Sequence, residues 1–386
     1  MAIFISICLV LFSTWMIAKV CDGFEAAADH LGRNMSEGVK GATINAIGSS
    51  MPELCATMVF LFLFNDTGGF AGGIATTAGS AVFNTMIIPA MSILTAIKIF
   101  KLSAVNVSKK VILRDGIALI TIELILIVTI GEHLTWWHGL MLMSLYIIYI
   151  AYMLTNMKKS HHAEYSIAEE EEQEQEQDKV SSENALMSWL TLDLENAVIG
   201  ERKTTNQNAW ALLIVSTFFI ALSCYLLVLG CELLGHELGL KSYFVAVIIA
   251  AAASSVPDTI LSVRDAKKGN YDDAVSNALG SNIFDICFAL GLPLFLYTII
   301  NGPIFMPIDM VDNVGELRVL LLLLTIAAFI LFYFGKALGK AKAYTLIGLY
   351  IFFAAYIISK AYDLAWVQPI TALLKHMLHT MQLPFA

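Results

Sequence analysis

Two short polar elements interrupt long apolar stretches in opposite halves of this sequence. The first is Gly48-Ser49-Ser50-Met51-Pro52-Glu53, and the second is Ser254-Ser255-Val256-Pro257-Asp258. Each contains a proline, which cannot donate a backbone hydrogen bond and so frees a carbonyl one helical turn earlier. The serines and the carboxylate, three and four positions apart, share one helical face. Carbonyl, hydroxyl and carboxylate oxygens are the ligands that calcium prefers, so both elements predict cation binding.

Each element is followed by a second polar element that begins with glycine. These are Gly79-Ser80-Ala81-Val82-Phe83-Asn84 and Gly280-Ser281-Asn282-Ile283-Phe284-Asp285. In both, the serine and the last residue are four apart and share a helical face. The leading glycines are expected to let neighbouring helices approach closely. Neither histidine nor cysteine takes part, which argues against zinc or copper. The duplication predicts one oxygen-lined site built from two halves of the chain.

These polar residues lie near the centres of apolar segments, where charge is expensive. A charged side chain at the middle of a membrane costs at least about 2.5 kcal/mol. Glu53, Asp258 and Asp285 therefore need a bound cation or protons to neutralise them. One such element alone is equally consistent with a helix kink or a neutral packing group. Its repetition at matched positions favours a binding site.

The composition places the chain among membrane proteins. Hydrophobic residues are 58% and charged residues 14% of the sequence, against roughly 45–50% and about 25% in soluble proteins. Much of the net charge of −9 comes from the acidic run 169–178, and no basic patch indicates nucleic-acid binding. The six cysteines lack Cys-x-x-Cys spacing and are predicted to be small core residues. The N-terminal apolar run lacks a preceding basic region, so we interpret it as a first span and not as a removed signal.

Apolar runs long enough to cross a hydrocarbon core of about 30 Å as helices occur ten times. The predicted fold is therefore an all-α polytopic membrane protein with ten transmembrane helices. The spans are 3–28, 39–64, 70–97, 111–131, 136–157, 207–235, 242–264, 271–299, 317–335 and 342–363. They divide the chain into a first five-helix repeat (1–157), an acidic flexible cytoplasmic linker (158–206), a second five-helix repeat (207–363) and a tail (364–386). The Glu/Gln-rich linker cannot bury enough apolar surface to order itself, and the tail is a candidate interfacial helix.

The positions of the basic residues predict an orientation for these spans. With both termini outside, all but four of the 23 lysines and arginines fall at cytoplasmic ends and loops. The four exceptions are Lys241, Arg318, Lys360 and Lys375. Because five is an odd number, the two polar copies cross the membrane in opposite directions. Inverted repeats with broken helices at mid-membrane are typical of secondary transporters.

At these residues the chain resembles a known family. The paired elements are similar to the α-repeats of the cation/calcium exchanger superfamily, and specifically of the sodium/calcium exchangers. The resemblance implies two inverted five-helix repeats around a cation site. Carried over by position, that site consists of backbone carbonyls near Ala46 and Ala251 and of the side chains of Ser49, Ser50, Glu53, Ser80, Asn84, Ser254, Ser255, Asp258, Ser281 and Asp285.

The second copy is also similar to the potassium-dependent branch of that family. Asp258 and Asp285, followed by Gly291-Leu292-Pro293-Leu294, carry this likeness. The first copy departs from the usual pattern, because Ala81 stands where the Gly-Ser-Asn element has asparagine, and Ser49 replaces a frequent threonine or glycine. These departures bear on selectivity and stoichiometry more than on the fold.

The predicted function is secondary antiport of calcium against sodium by alternating access in the plasma membrane. Calcium and monovalent cations would be its substrates and the lipid bilayer its surroundings; neither an enzyme activity nor a cofactor is predicted. Potassium-dependent or proton-coupled antiport remains open, as do a cation channel and a scaffold without transport. A channel would conduct without a counter-ion, and a scaffold would be indifferent to alanine at Glu53 or Asp258.

Several acidic residues lie outside the paired elements. Glu123 lies mid-span and could carry a proton, pair with the site or make a structural hydrogen bond. Glu25 and Glu232 lie in matched positions and could line an access path or be solvated at the interface. Asp272 and Asp273 start a helix, where acids favour the helix dipole. The acidic linker lacks the spacing of a calcium-binding loop and is interpreted as a solvated tether.

Overall fold

The computed structural model describes residues 2–31, 46–63, 69–157, 185–200, 202–335 and 337–381. The helices in chain order are α1 (Ala2–Leu31), α2 (Ala46–Ser49), α3 (Met51–Phe62), α4 (Gly69–Phe100), α5 (Lys109–Thr129), α6 (Trp136–Met157), α7 (Ala185–Thr191), α8 (Leu194–Val198), α9 (Asn206–Leu238), α10 (Ser242–Val245), α11 (Ala251–Ser254), α12 (Val256–Lys268), α13 (Tyr271–Phe284), α14 (Gly291–Asn301), α15 (Ile308–Tyr333), α16 (Lys340–Ala361) and α17 (Gln368–Met381). Two π-helical turns (Ala246–Ala250 and Asp285–Ala289) and one 3-10 turn (Ala365–Val367) join some of them. The strands are β1 (Ala104–Val105), β2 (His133–Leu134), β3 (Ile304–Phe305) and β4 (Leu338–Gly339).

The predicted class of helical membrane protein is confirmed. In the described residues, seven helical segments are long and apolar enough to cross a membrane, or eight if the bent pair Ser242–Ser254 and Val256–Lys268 is one span. Helix α5 falls outside this set because its 21 residues include five charged ones. Helix α3 has only 12 residues, and most of the rest of that predicted span, 39–45, lies outside the described residues. The count of ten spans stays a prediction.

Helix α15 begins at Ile308, nine residues before the predicted span start at 317. Its first turns contain three acidic residues, which lower the hydropathy of this segment, so the predicted span starts too late. In the structure each acid forms an ion pair with a lysine from another element, which makes a charged helical end compatible with its surroundings. The pairs are Asp309–Lys241 (2.7 Å), Asp312–Lys375 (2.7 Å) and Glu316–Lys360 (2.5 Å). These lysines are three of the four exceptions to the predicted charge bias.

The fourth exception, Arg318, is a buried residue that caps another helix. Its side chain is 1% exposed. Its Nη1 donates to the carbonyl oxygens of Leu126 and Ile130, both at 2.9 Å. These carbonyls lie at the C-terminal end of α5, where the helix dipole favours a cation. The Leu126 carbonyl also accepts from Ile130 N at 3.1 Å. All four exceptions therefore have specific partners.

Two small strand pairs connect the halves of the chain. Strand β1, which precedes α5, pairs antiparallel with β4, which precedes α16. Strand β2, which precedes α6, pairs antiparallel with β3, which precedes α15. The strand before the fourth predicted span thus pairs with the strand before the tenth, and the strand before the fifth pairs with the strand before the ninth. A two-fold axis that exchanges the two halves would convert each strand pair into the other.

Helices α1 and α9 pack against each other along much of their length. Gly23 of α1 allows a close approach, because a Cβ there would lie 3.0 Å from Ser216 Oγ of α9. The same Cβ would lie 3.1 Å from Leu194 Cβ of α8. Residues 185–200 of the expected flexible linker thus include two short helices, α7 and α8, and α8 packs on this pair. Residues 158–184 lie outside the described residues.

The tail forms helix α17, which packs on α15. Leu374 and Leu378 are buried on one face of α17. Gly315 of α15 leaves room for this helix, since a Cβ there would lie 2.3 Å from Leu378 Cδ2. Its position at the membrane interface stays a prediction.

Candidate cation-binding site

Both repeated elements break a helix in the same way. Helix α2 ends at Ser49 and α3 begins at Met51, with Ser50 at φ −98° and ψ 8° between them. Helix α11 ends at Ser254 and α12 begins at Val256, with Ser255 at φ −80° and ψ 3°. Each proline occupies the first turn of the following helix, where its missing N–H costs nothing. The break turns serine oxygens toward the protein interior in each half.

Ser80 of α4 is the central contact between the two halves. Its Oγ donates to Glu53 Oε1 at 3.0 Å and lies 2.8 Å from Ser255 Oγ. It also lies 3.4 Å from Asp285 Oδ2 of the second half. One hydroxyl thus joins a carboxylate from each repeat. All four side chains are fully buried.

Asp258 forms a second junction between the halves. Its Oδ1 accepts a hydrogen bond from Ser281 Oγ at 2.7 Å, and its Oδ2 accepts one from Asn84 Nδ2 at 3.1 Å. Two further serines cross between the repeats: Ser49 lies within hydrogen-bonding reach of Asp258, and Ser254 within reach of Glu53. Residues of the two copies therefore serve each other's carboxylates.

The backbone carbonyl of Ala251 is occupied in this structure. It accepts from Ser255 N at 3.1 Å and from Ser254 Oγ at 3.1 Å. Ala46 is the first residue of α2. The remaining ten expected site residues contribute side chains to the cluster.

The cluster contains buried oxygens that make no hydrogen bond within the described residues. Four of them belong to the expected site residues: Ser50 Oγ, Glu53 Oε2, Asn84 Oδ1 and Asp285 Oδ1. A buried acceptor without a partner is costly. Oxygens of this kind fit a hard cation as cargo.

The described part of the chain supplies no positive charge to this cluster. None of its ion pairs includes Glu53, Asp258 or Asp285. It also contains no group of three His, Cys, Asp or Glu side chains placed to hold a metal by themselves. Serine and asparagine oxygens must therefore complete any coordination shell, which again favours calcium or sodium over transition metals.

Asn282 is a buried residue beside the cluster that the comparison of the two halves did not select. Its Nδ2 donates to Ala81 O at 3.0 Å and to Thr85 Oγ1 at 2.7 Å. Its Oδ1 has no partner within the described residues. The matching position in the first half is Ala81, which is apolar. Asn282 was therefore not selected when polar residues had to occur at matching positions of both halves. Its place between Ser281 and Asp285 was the available signal.

The two glycines that open the second elements behave differently. A Cβ at Gly79 would lie 2.0 Å from Val247 O and 2.7 Å from Ala251 Cβ. At Gly280 a Cβ would meet nothing within 4 Å. The expected close helix approach therefore holds at Gly79, where α4 crosses the π-helical turn, and is wrong at Gly280.

Three of the other acidic candidates make hydrogen bonds outside this cluster. Thr325 Oγ1 donates to Glu123 Oε1 at 2.8 Å, so Glu123 pairs with α15 and not with a site residue. Glu232 Oε2 accepts from Ser242 Oγ at 2.5 Å. Asp272 Oδ1 accepts from Ser108 N at 2.6 Å and so ties α13 to the start of α5.

Comparisons with known proteins agree with this architecture. The family model described as "Sodium/calcium exchanger protein" matches residues 5–155 and 208–359. Among solved structures, the H+/Ca2+ exchanger CAX superposes with a TM-score of 0.60 at 15% identity, covering 97% of this chain and 92% of that one. The sodium-calcium exchanger NCX_Mj superposes with a TM-score of 0.55 at 20% identity, covering 92% and 99%. At these identities the likeness concerns the fold alone.

Two curated relatives are similar over a shorter part of the chain. Sodium/potassium/calcium exchanger 1 of Gallus gallus is 37% identical over 137 residues, which are 36% of this chain and 20% of that protein. Sodium/potassium/calcium exchanger 2 of Mus musculus is 36% identical over 141 residues, or 36% and 21%. The matched part spans about a fifth of these relatives. Because the family model covers both halves of the sequence, the chain belongs to the sodium/calcium exchanger family.

Proposed function

We propose that this integral multi-pass membrane protein is a secondary antiporter that exchanges calcium for sodium by alternating access. One observation carries the proposal: a fully buried cluster from both halves contains three carboxylates and four oxygens without donors. No lysine or arginine of the described residues is ion-paired with these carboxylates. Cations from solution would neutralise these carboxylates.

The charge of the cluster explains why transport would be exchange. One calcium ion or several sodium ions would neutralise Glu53, Asp258 and Asp285, but both loads cannot occupy the same oxygens. An empty cluster would carry uncompensated charge in a low-dielectric interior, which hinders movement between the two access states. Only loaded states would then cross readily, and calcium movement is tied to counter-ion movement.

The proposed architecture is two inverted five-helix repeats with both termini outside the plasma membrane and the acidic linker in the cytoplasm. Three observations support it. The family model matches two blocks of similar length, the strand pairs exchange connectors between halves, and the four outer basic residues each have a specific partner. In this arrangement the α1–α9 pair would slide across the helices that hold the cluster.

A requirement for potassium is the second candidate. The relatives at 36–37% identity are named sodium/potassium/calcium exchangers. The second half supplies the carboxylate of Asp285 where the first half has the neutral Asn84, and this extra charge would suit one more monovalent ion. Proton coupling is tested by the same experiment.

The test is calcium uptake by purified protein in liposomes. Vesicles loaded with sodium are diluted into labelled calcium, while sodium, potassium and pH are varied one at a time. We expect uptake that requires an outward sodium gradient, and a further need for potassium would establish the second candidate. Absence of uptake under every gradient would refute the exchanger.

Two matched substitutions distinguish the site from general damage. Glu53→Gln removes a charge from the cluster and should abolish uptake. Glu123→Gln changes another buried carboxylate, the one paired with Thr325, and should leave uptake largely intact. If both variants lose calcium uptake equally, uptake depends on any buried carboxylate and not specifically on the carboxylates of the cluster.

A further inference from the structure

The broken span formed by α10, the π-helical turn, α11 and α12 contacts the α1–α9 pair at both of its ends. This span carries Ser254, Ser255 and Asp258, whereas α1 and α9 pack together as one unit. Any sliding of that unit must change the contacts at the ends of the broken span. The two contacts differ in length and strength in this structure.

The first end is held tightly by Glu232 and Ser242. Ser242 Oγ donates to Glu232 Oε2 at 2.5 Å in a partly buried position. Local backbone geometry brings them together. Gly239 ends α9 at φ +66°, and a Cβ at Gly235 would lie 3.4 Å from Ser242 Cα, so glycine lets the chain turn back onto α9. A hydrogen bond to a carboxylate is among the stronger kinds.

The second end is held loosely by Asp22 and Arg264. Arg264 Nη2 lies 3.9 Å from Asp22 Oδ1, and the two side chains are 51% and 55% exposed. This distance is too long for a hydrogen bond, and exposed ion pairs contribute little. A small shift of α1 relative to α12 would bring the charges into direct contact.

We propose that Glu232–Ser242 and Asp22–Arg264 are alternate latches, one closed in each access state of the exchanger. The present structure has the Glu232–Ser242 latch closed and the Asp22–Arg264 latch open. Movement of the α1–α9 pair along the broken span opens the first and closes the second. In the proposed orientation the closed latch lies at the outer end, so this state is closed to the outside there. The inference rests on the proposed alternating access.

Lys241 provides a matched control next to the first latch. Its Nζ pairs with Asp309 Oδ2 of α15 at 2.7 Å. The adjacent residues Lys241 and Ser242 thus bind different partners, one on α15 and one on α9. A variant at Lys241 disturbs the same turn without touching the latch, and it should leave the balance of access states unchanged.

Hydrogen–deuterium exchange of the full-length protein tests the latches without requiring transport. In Ser242→Ala we expect faster exchange in peptides covering 232–245 and slower exchange in peptides covering 259–268. The opposing changes are the signature of alternate latches. Asp22→Asn weakens the Asp22–Arg264 contact, which closes in the state where Glu232–Ser242 is open. Combined with Ser242→Ala, it should remove the slower exchange of peptides covering 259–268. Glu232→Gln, which keeps an acceptor for Ser242 Oγ, should retain most of the protection of peptides covering 232–245. Faster exchange confined to 232–245, no change at all, or the same pattern in Lys241→Met would overturn the proposal.

Flux measurements give a second, side-specific result. Loss of a hydrogen bond to a charged group should shift the ratio of the two states by about ten-fold or more. Ser242→Ala should favour the state that is open to the outside. The half-saturating calcium concentration should therefore fall at the outer face and rise at the cytoplasmic face, because apparent affinity increases with the population of the binding-competent state. Equal changes on both faces would overturn the proposal. Failure of all calcium uptake in the wild-type protein would refute the proposed function, while the exchange experiment would still decide between alternate and independent contacts.

Discussion

Replacing Gly79 by alanine should damage the cation site through backbone contact. The new Cβ would lie 2.0 Å from Val247 O, whereas carbon and carbonyl oxygen in close contact stand about 3.3–3.6 Å apart. Helix α4 and the π-helical turn must therefore separate by about 1.3 Å or more. The obstructing atom belongs to the backbone, so no side-chain rotation can relieve the clash.

The expected size of the effect follows from the position of Ser80. This residue adjoins Gly79 and holds hydrogen bonds of 2.8 Å and 3.0 Å to Ser255 and Glu53, which a shift of this size would break. A hydrogen bond to a charged group contributes about 1.5–3 kcal/mol. Apparent calcium affinity should therefore fall by roughly ten-fold to over a hundred-fold, since about 1.4 kcal/mol corresponds to a factor of ten.

Gly280→Ala is the control with the same substitution at the matching position of the other half. Its Cβ would meet nothing within 4 Å, and alanine is the better helix former by about 1 kcal/mol. Calcium uptake into liposomes and thermal unfolding would be measured for both variants. Gly280→Ala should keep uptake and match or exceed wild-type stability. If the two variants have equal calcium affinities, the reasoning from close helix approach is refuted.

Three further predictions concern separate contacts. Asn84→Asp should strongly reduce calcium uptake at neutral pH, because it places a carboxylate where an amide nitrogen now lies 3.1 Å from Asp258 Oδ2; unchanged uptake would contradict this arrangement. Arg318→Met should lower the unfolding temperature, because it strips the carbonyls at the end of α5 of a buried charged donor, at a cost of about 1.5–3 kcal/mol; a stability equal to wild type would show that those carbonyls are otherwise satisfied. Gly315→Ala should destabilise the packing of α17 by clashing with Leu378 at 2.3 Å; the additional change Leu378→Ala should restore part of it, and simple additivity of the two losses would argue against the contact.

The sequence was sufficient for the class of protein, and it predicted which residue types line the candidate site. Apolar runs and their lengths are local properties, and the helices Trp136–Met157 and Ala2–Leu31 lie close to their predicted bounds. The start of α15 was missed because hydropathy counts a charge without its partner. Asp309, Asp312 and Glu316 lie at that start because lysines distant in sequence neutralise them.

The sequence by itself determined that two copies of an oxygen-rich, helix-breaking element lie in opposite halves of a membrane chain. Residue type, helical spacing and repetition are enough for that conclusion. Only the tertiary structure decided that Ser80 contacts both halves and that Asn282 of the second half donates to Ala81 and Thr85 of the first. It also decided that Gly79 lies against backbone while Gly280 does not. The reason is physical: the partner of a buried polar atom is set by which helices cross at that point, and a crossing depends on packing between residues far apart in the chain.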